Sequence, residues 1–154
     1  MSQSPGKTVR FIAVGVDGSP SSDEALRWAV READLAGDVV RAVIAWHYPT
    51  AVGGYGWAPV VMDDGIDMQA ISEKVLAEAV GKAAPPGSAV RIEQHVIEGY
   101  PPQALIDASA GADLLVVGSR GHGTFTDALL GSVSQHCAHH AKCPVVIVRQ
   151  HSHR

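Results

Sequence analysis

Five short apolar runs, each separated from the next by a longer stretch, restrict this 154-residue chain to few architectures. The runs cover 9–16, 39–46, 89–97, 113–117 and 144–149. Most are apolar along their length, as strands covered on both faces are, while 89–97 alternates with polar residues in the manner of an edge strand. Ala25, Leu26, Ala29, Val30 and Ala33 recur at helical spacing until Gly37. Ile71, Val75, Leu76, Ala79 and Val80 trace a second helix, closed by Gly81 and the later Pro85-Pro86. Pro101-Pro102 open a third helix through Ala104, Leu105, Ala108 and Ser109, and a fourth spans about 126–140. The first helix has two candidate starts: Ser19 as cap with Pro20 at the first position, or a capping box of Ser21 with Glu24. Alternating strands and helices of this kind give an α/β fold, here a single doubly wound five-stranded parallel sheet. With strand order 3-2-1-4-5 the winding reverses between strands one and four, and a ligand crevice opens beyond their carboxyl ends. One domain is expected over 1–154, with its core at about 8–149 and flexible ends.

Two turns rich in Gly and Ser would face each other across that crevice. The first is Asp17-Gly18-Ser19; the second is Gly118-Ser119-Arg120-Gly121-His122-Gly123-Thr124. A strand that empties through glycines into a helix presents backbone N–H groups to phosphate. Gly118, Gly121 and Gly123 permit positive φ and let main chain approach a ligand without an intervening Cβ. Gly131, Ser132 and Ser134 add a second small, hydroxyl-bearing surface. The net charge of −4 opposes anions and argues against general affinity for nucleic acid or anionic membranes, so local donors must hold any phosphate. The pattern is neither a Walker loop, since 118–134 lacks lysine, nor a dinucleotide fingerprint, which the Gly15-Val16-Asp17-Gly18 turn does not match. No apolar run approaches the roughly 18 residues of a membrane helix, and no secretion signal is expected in 1–10.

Several residues carry more than one reading. Asp17 is a ligand contact or an ordinary Asp-Gly turn residue; Arg120 and His122 contact a ligand or simply occupy the loop. The spacing of Cys137 and Cys143 permits a disulfide without enforcing it, and reduced thiols are expected in a cytosolic protein. His136 and His140 share a helical face, but no general-base Glu accompanies them, and third ligands reduce to Cys137, Cys143, His151 or His153. That surface reads as solvent-facing and pH-responsive, with no metal expected. The 47–65 connection, with Tyr48, Gly53-Gly54, Tyr55 and Trp57, is a lid over a base or a surface loop.

Val14-Gly15-Val16-Asp17-Gly18-Ser19, the Gly99 to Ile106 segment, and Gly-x2-Gly-x9-Gly-Ser at Gly118, Gly121, Gly131 and Ser132 resemble the universal stress protein family over nearly the whole chain. The resemblance implies the ATP-binding branch, and a flavodoxin-like sheet of the adenine nucleotide alpha hydrolase-like type. It also implies a homodimer through the last strand, from Val145 to Arg149, and a cytoplasmic stress-response role. Gly15 and Asp17 would lie under the adenosine, with Asp17 near the ribose or a magnesium ion, and the backbone at Ala45 would read the adenine edge. Residues 118–124 would wrap the ribose and phosphates, and Ser132, Val133 and Ser134 would donate to the terminal phosphates of ATP. Ile44 departs from the family pattern, which often has His there; a backbone contact survives that change. The leading function is an ATP-binding regulatory protein whose shape or partner choice responds to nucleotide. Weak ATP hydrolysis or phosphoryl transfer is the enzyme alternative, with Asp17, Arg120 and His122 as its only nearby groups. A nucleotide-free dimeric interaction module is the third.

Overall fold

The structure, a computed structural model, describes residues 10–48, 50–51, 60–61, 66–120 and 130–150. In chain order the elements are β1 (Phe11–Gly15), α1 (Pro20–Ala36), β2 (Val39–Trp46), β3 (Thr50–Ala51), β4 (Val60–Val61), α2 (Met68–Ala83), β5 (Ile92–Glu98), α3 (Pro101–Ala108), β6 (Leu114–Gly118), α4 (Ser132–His140) and β7 (Val145–Val148). The main sheet runs β5-β2-β1-β6-β7 with every neighbouring pair parallel. Counting its five strands in chain order, this is 3-2-1-4-5. The apolar alternation of β5 therefore does mark an edge. The 47–65 connection carries a short antiparallel pairing of β3 with β4 rather than being wholly irregular. Tyr55, Trp57 and Gly53-Gly54 lie outside the described residues.

Period-two alternation sends the strand residues into two cores. Ile12, Val14, Val40, Ala42, Ile44 and Val116 pack with Ala25, Leu26, Ala29, Leu76 and Ala79 of α1 and α2. Ala13, Val43, Leu115 and Val117 pack with Leu105 of α3 and Cys137 of α4 on the opposite face. Leu26 and Leu76 are fully buried, and burial of each side chain contributes about 1.5–3 kcal/mol. Covering both faces this way confirms why the charged fraction, 18%, falls below the usual quarter.

The helix ends follow local chemistry, with two departures from expectation, at Gly81 and at the start of the fourth helix. Ser19 caps α1, its hydroxyl accepting from the Ser22 amide at 3.2 Å, and Pro20 sits at the first position. The Ser21–Glu24 box does not form; Glu24 instead accepts from Arg27 at 2.8 Å. Gly37 closes α1 at φ 74°, a conformation that favours glycine. Gly81 does not close α2, which runs on to Ala83. An exposed glycine with nothing within 4 Å of its Cβ position weakens a helix without ending it. Ala84 ends it, in the extended conformation (ψ 115°) that the following Pro85 imposes. The fourth helix starts at Ser132, not near 126: Leu130 and Gly131 are non-helical, and 121–129 lies outside the described residues.

Candidate functional site

The crevice lies where the winding reverses. Beyond the carboxyl ends of β1 and β6 is a cavity of about 270 Å³, close to the lower end of the roughly 300–1,000 Å³ typical of small-ligand sites. Each wall comes from a different element. Gly15, Val16 and Asp17 leave β1, and Val117, Gly118 and Arg120 leave β6. Val43 and Ala45 of β2 form the side wall, Pro101 and Leu105 of α3 another, and Gly131, Ser132, Val133 and Ser134 open α4 against it.

Most of the expected residues thus meet in one hollow. Gly15, Asp17, Ala45, Gly118, Arg120, Gly131, Ser132, Val133 and Ser134 all line it. Ser119 does not. It is buried, and its amide donates to the Val148 carbonyl at 2.9 Å while its carbonyl accepts from the Gly131 amide at 2.8 Å. Ser119 is therefore the tie that fastens the start of α4 to the end of β6. Gly121, His122, Gly123 and Thr124 lie outside the described residues. Ile44 faces the α1–α2 core rather than the cavity, so its departure from His falls on the other side of the sheet.

Gly118 needs a different explanation from the one its motif suggests. Among the described residues, the positive-φ glycines are Gly18, Gly37, Gly87 and Gly111, so Gly15, Gly118 and Gly131 are not left-handed. A Cβ at Gly118 would lie 2.7 Å from both the carbonyl carbon and oxygen of Ser21. Its bareness lets α1 pack against the end of β6, a reason for glycine that holds whatever occupies the cavity. A Cβ at Gly15 would meet the Leu105 methyl at 2.7 Å, which is itself part of the cavity wall.

A serine network holds these turns in place. The Asp17 carboxylate accepts from the Ser19 amide at 2.8 Å, while the Asp17 amide donates to the Ser22 hydroxyl at 3.2 Å. Gly18, at φ 82°, makes that turn possible. The Ser21 hydroxyl accepts from the Arg120 amide at 3.2 Å, joining the first turn of α1 to the β6 turn. The Ser134 hydroxyl donates to the Gly118 carbonyl, drawing the first turn of α4 onto β6. Ser19, Ser21, Ser22 and Ser134 are all buried, and among the described residues no buried side-chain polar atom lacks a hydrogen-bond partner.

The described lining offers backbone and hydroxyl groups with little charge. Asp17 and Arg120 are the only charged residues among the described cavity lining. At α4, Gly131 caps with no side chain, and the first-turn amides of a helix have no partner four residues back. Those amides and the helix dipole present positive character to the cavity. Cys137, one turn further on, is fully buried; burial, with Cys143 beside it, pushes its thiol up to about 11. At neutral pH it is a protonated packing group. Both cysteines are free thiols.

Sequence reasoning missed Val16, Ser22, Val43, Pro101, Leu105 and Val117 as cavity residues. Part of the signal was present: Val43 and Ala45 share a strand face, as residues two apart must, and Leu105 lies one turn beyond Pro101.

A profile of the universal stress protein family matches residues 8–149. A universal stress protein of Mycobacterium tuberculosis strain H37Rv is 34% identical over 153 residues, covering 94% of this chain and 49% of that protein. The chain thus spans about half the length of such curated relatives. A crystal structure of a universal stress protein in complex with cAMP shares 30% identity at TM-score 0.68, covering 94% of this chain and 100% of that one. A universal stress protein from Archaeoglobus fulgidus shares 26% identity at TM-score 0.68, with 93% and 96% covered. The strand order, the cavity at its switch point and the match across nearly the whole chain together establish that this chain belongs to the universal stress protein family.

Proposed function

We propose that the cavity binds an adenine nucleotide, ATP with magnesium in the fullest form of the reading, and that occupancy alters shape or partner choice in a cytoplasmic stress response. The observation that carries this is the convergence of the β1 turn, the β6 turn and the first turn of α4 on one hollow. The apolar end, formed by Val43, Ala45 and Leu105, suits a base and ribose; the end formed by Arg120 and Ser132–Ser134 suits phosphate. The relative in complex with cAMP supports the adenine class. Asp17, which lines the cavity, would hold a magnesium ion brought in with the nucleotide or accept from the ribose, and the ion would supply positive charge against the phosphates. Sustained hydrolysis is the weaker reading, since 118–134 offers no lysine to clamp transferring phosphate. The exposed edge of the sheet at β7, whose Val145, Val146, Ile147 and Val148 are only half-buried, is the surface through which two chains would pair.

Calorimetric titration with ATP, ADP, AMP and cAMP, each with and without magnesium chloride, tests the proposal. Binding should occur in the wild type and vanish in Ala45→Phe, whose ring would fill the base end from a half-exposed strand position. No heat with any adenine nucleotide, or unchanged binding in Ala45→Phe, would remove the cavity from the account.

A further inference from the structure

The outward face of α4 carries two imidazoles that the nucleotide reading does not use. His136 and His140 lie four residues apart, and their ring centroids are 4.6 Å apart at an interplanar angle of 44°. A metal held in the plane of an imidazole at about 2.0–2.1 Å from nitrogen sits about 3.2 Å from the ring centre. Two rings sharing such an ion at a right angle therefore have centres about 4.5 Å apart, and at a tetrahedral angle about 5.2 Å. The observed separation is short enough for both rings to reach one ion. We propose that His136 and His140 form a two-nitrogen chelate for a tetragonal divalent transition-metal ion of the copper(II) or nickel(II) class.

The surroundings define what else could join the site. Cys137 is buried in the core beneath α3 and α4, and Cys143 packs against that same core, so the thiols belong to the inner side of the helix. His139 is exposed, but adjacent helical residues do not face each other, and its ring centroid is 6.3 Å from that of His140. Among the described residues, no group of three or more His, Cys, Asp or Glu gathers around a common point. Water completes the coordination, and the Irving–Williams series places copper(II) first in affinity, with nickel(II) ahead where square geometry is favoured over the tetrahedral preference of zinc(II). The site stands whether or not the cavity binds nucleotide, because no cavity-lining residue takes part.

The test is titration of the full chain with copper(II), nickel(II) and zinc(II) chlorides in a non-chelating buffer, followed by calorimetry and, for copper, electron paramagnetic resonance. One ion per chain with two-nitrogen hyperfine structure is expected, in the order copper, nickel, zinc. His136→Asn or His140→Asn should each weaken copper binding at least tenfold, with the far-ultraviolet circular dichroism of the native chain retained. His139→Asn should leave it unchanged, as should the paired change His151→Asn and His153→Asn in the tail. Binding that survives in the double variant at 136 and 140, that is lost with the tail histidines, or that prefers zinc to nickel would overturn the assignment.

Discussion

Replacing Gly118 by alanine separates a packing role from a ligand role at the residue that opens the glycine motif. The added Cβ would sit 2.5 Å from the Ser21 hydroxyl oxygen and 2.7 Å from two backbone atoms of Ser21. Ordinary carbon contacts lie near 3.5–4.0 Å, so the first turn of α1 must retreat by roughly 0.8 Å or more. Backbone cannot swing aside as a side-chain tip can, and overpacking of this kind costs about 1–3 kcal/mol. The retreat also stretches the Arg120 amide to Ser21 hydroxyl bond, now 3.2 Å, whose loss adds about 1 kcal/mol. Together these give about 2–4 kcal/mol, or a fall of roughly 5–15 °C in Tm for a domain of this size. Urea and thermal unfolding without ligand measure it directly. A variant within 0.5 kcal/mol of wild type that has lost nucleotide binding would refute the packing argument and return Gly118 to the ligand.

Three further substitutions probe separate parts of the account. Ser132→Asp places a negative charge at the exposed first position of α4, where it should raise unliganded stability by about 0.3–1 kcal/mol yet weaken phosphate binding about fivefold or more; weaker stability and unchanged affinity would deny the helix its role. Burial pulls the Glu93 carboxyl up, but hydrogen bonds from Arg41 and His95 and the charges of Arg41 and Arg91 outweigh it and hold Glu93 below its ordinary value. A depressed carboxylate stabilises the fold above its unfolded pKa, so Glu93→Gln should be less stable at pH 7 and converge with wild type as acid titrates the group; a constant gap down to pH 3 would contradict this. Cys137 keeps its proton to about 11 when folded against 9.0 as the reference, so stability should fall as pH rises between those values, and Cys137→Val should remove that component of the slope. Alkaline melts of both proteins decide the point.

How much of this was legible depended on whether the controlling interaction was local. Apolar strand runs and helical spacing prescribe two buried sheet faces; the strand order 3-2-1-4-5 was an assumption that the family resemblance supported and the structure bears out. Ser19 with Pro20, and Gly37, act within one turn and could be read directly. Of the two closing signals read for α2, Gly81 fails because exposed glycine only lowers propensity, while Pro85 holds because it dictates the backbone of Ala84. The start of α4 was misjudged because Ala128, Leu129 and Leu130 look helical, while the boundary is set by Gly131 bonding to Ser119 twelve residues earlier. Gly118 shows the same limit within the site. Its identity answers to Ser21, almost a hundred residues away, which no local pattern reveals. Ser119, grouped with the ligand contacts by its place in the loop, has a further part that the loop pattern did not show: its backbone ties the end of β6 to β7 and to the start of α4.

The central claim, that one hollow gathers three backbone turns around a nucleotide, is tested most directly by titrating isotope-labelled protein with magnesium-ATP and following amide resonances. The account predicts that the largest shifts cluster at Gly15, Val16, Asp17, Gly118, Arg120, Ser132, Val133 and Ser134. Shifts centred instead on the hollow formed by Arg27, Arg31, Asp34 and Ser88, or none at saturating nucleotide, would contradict it.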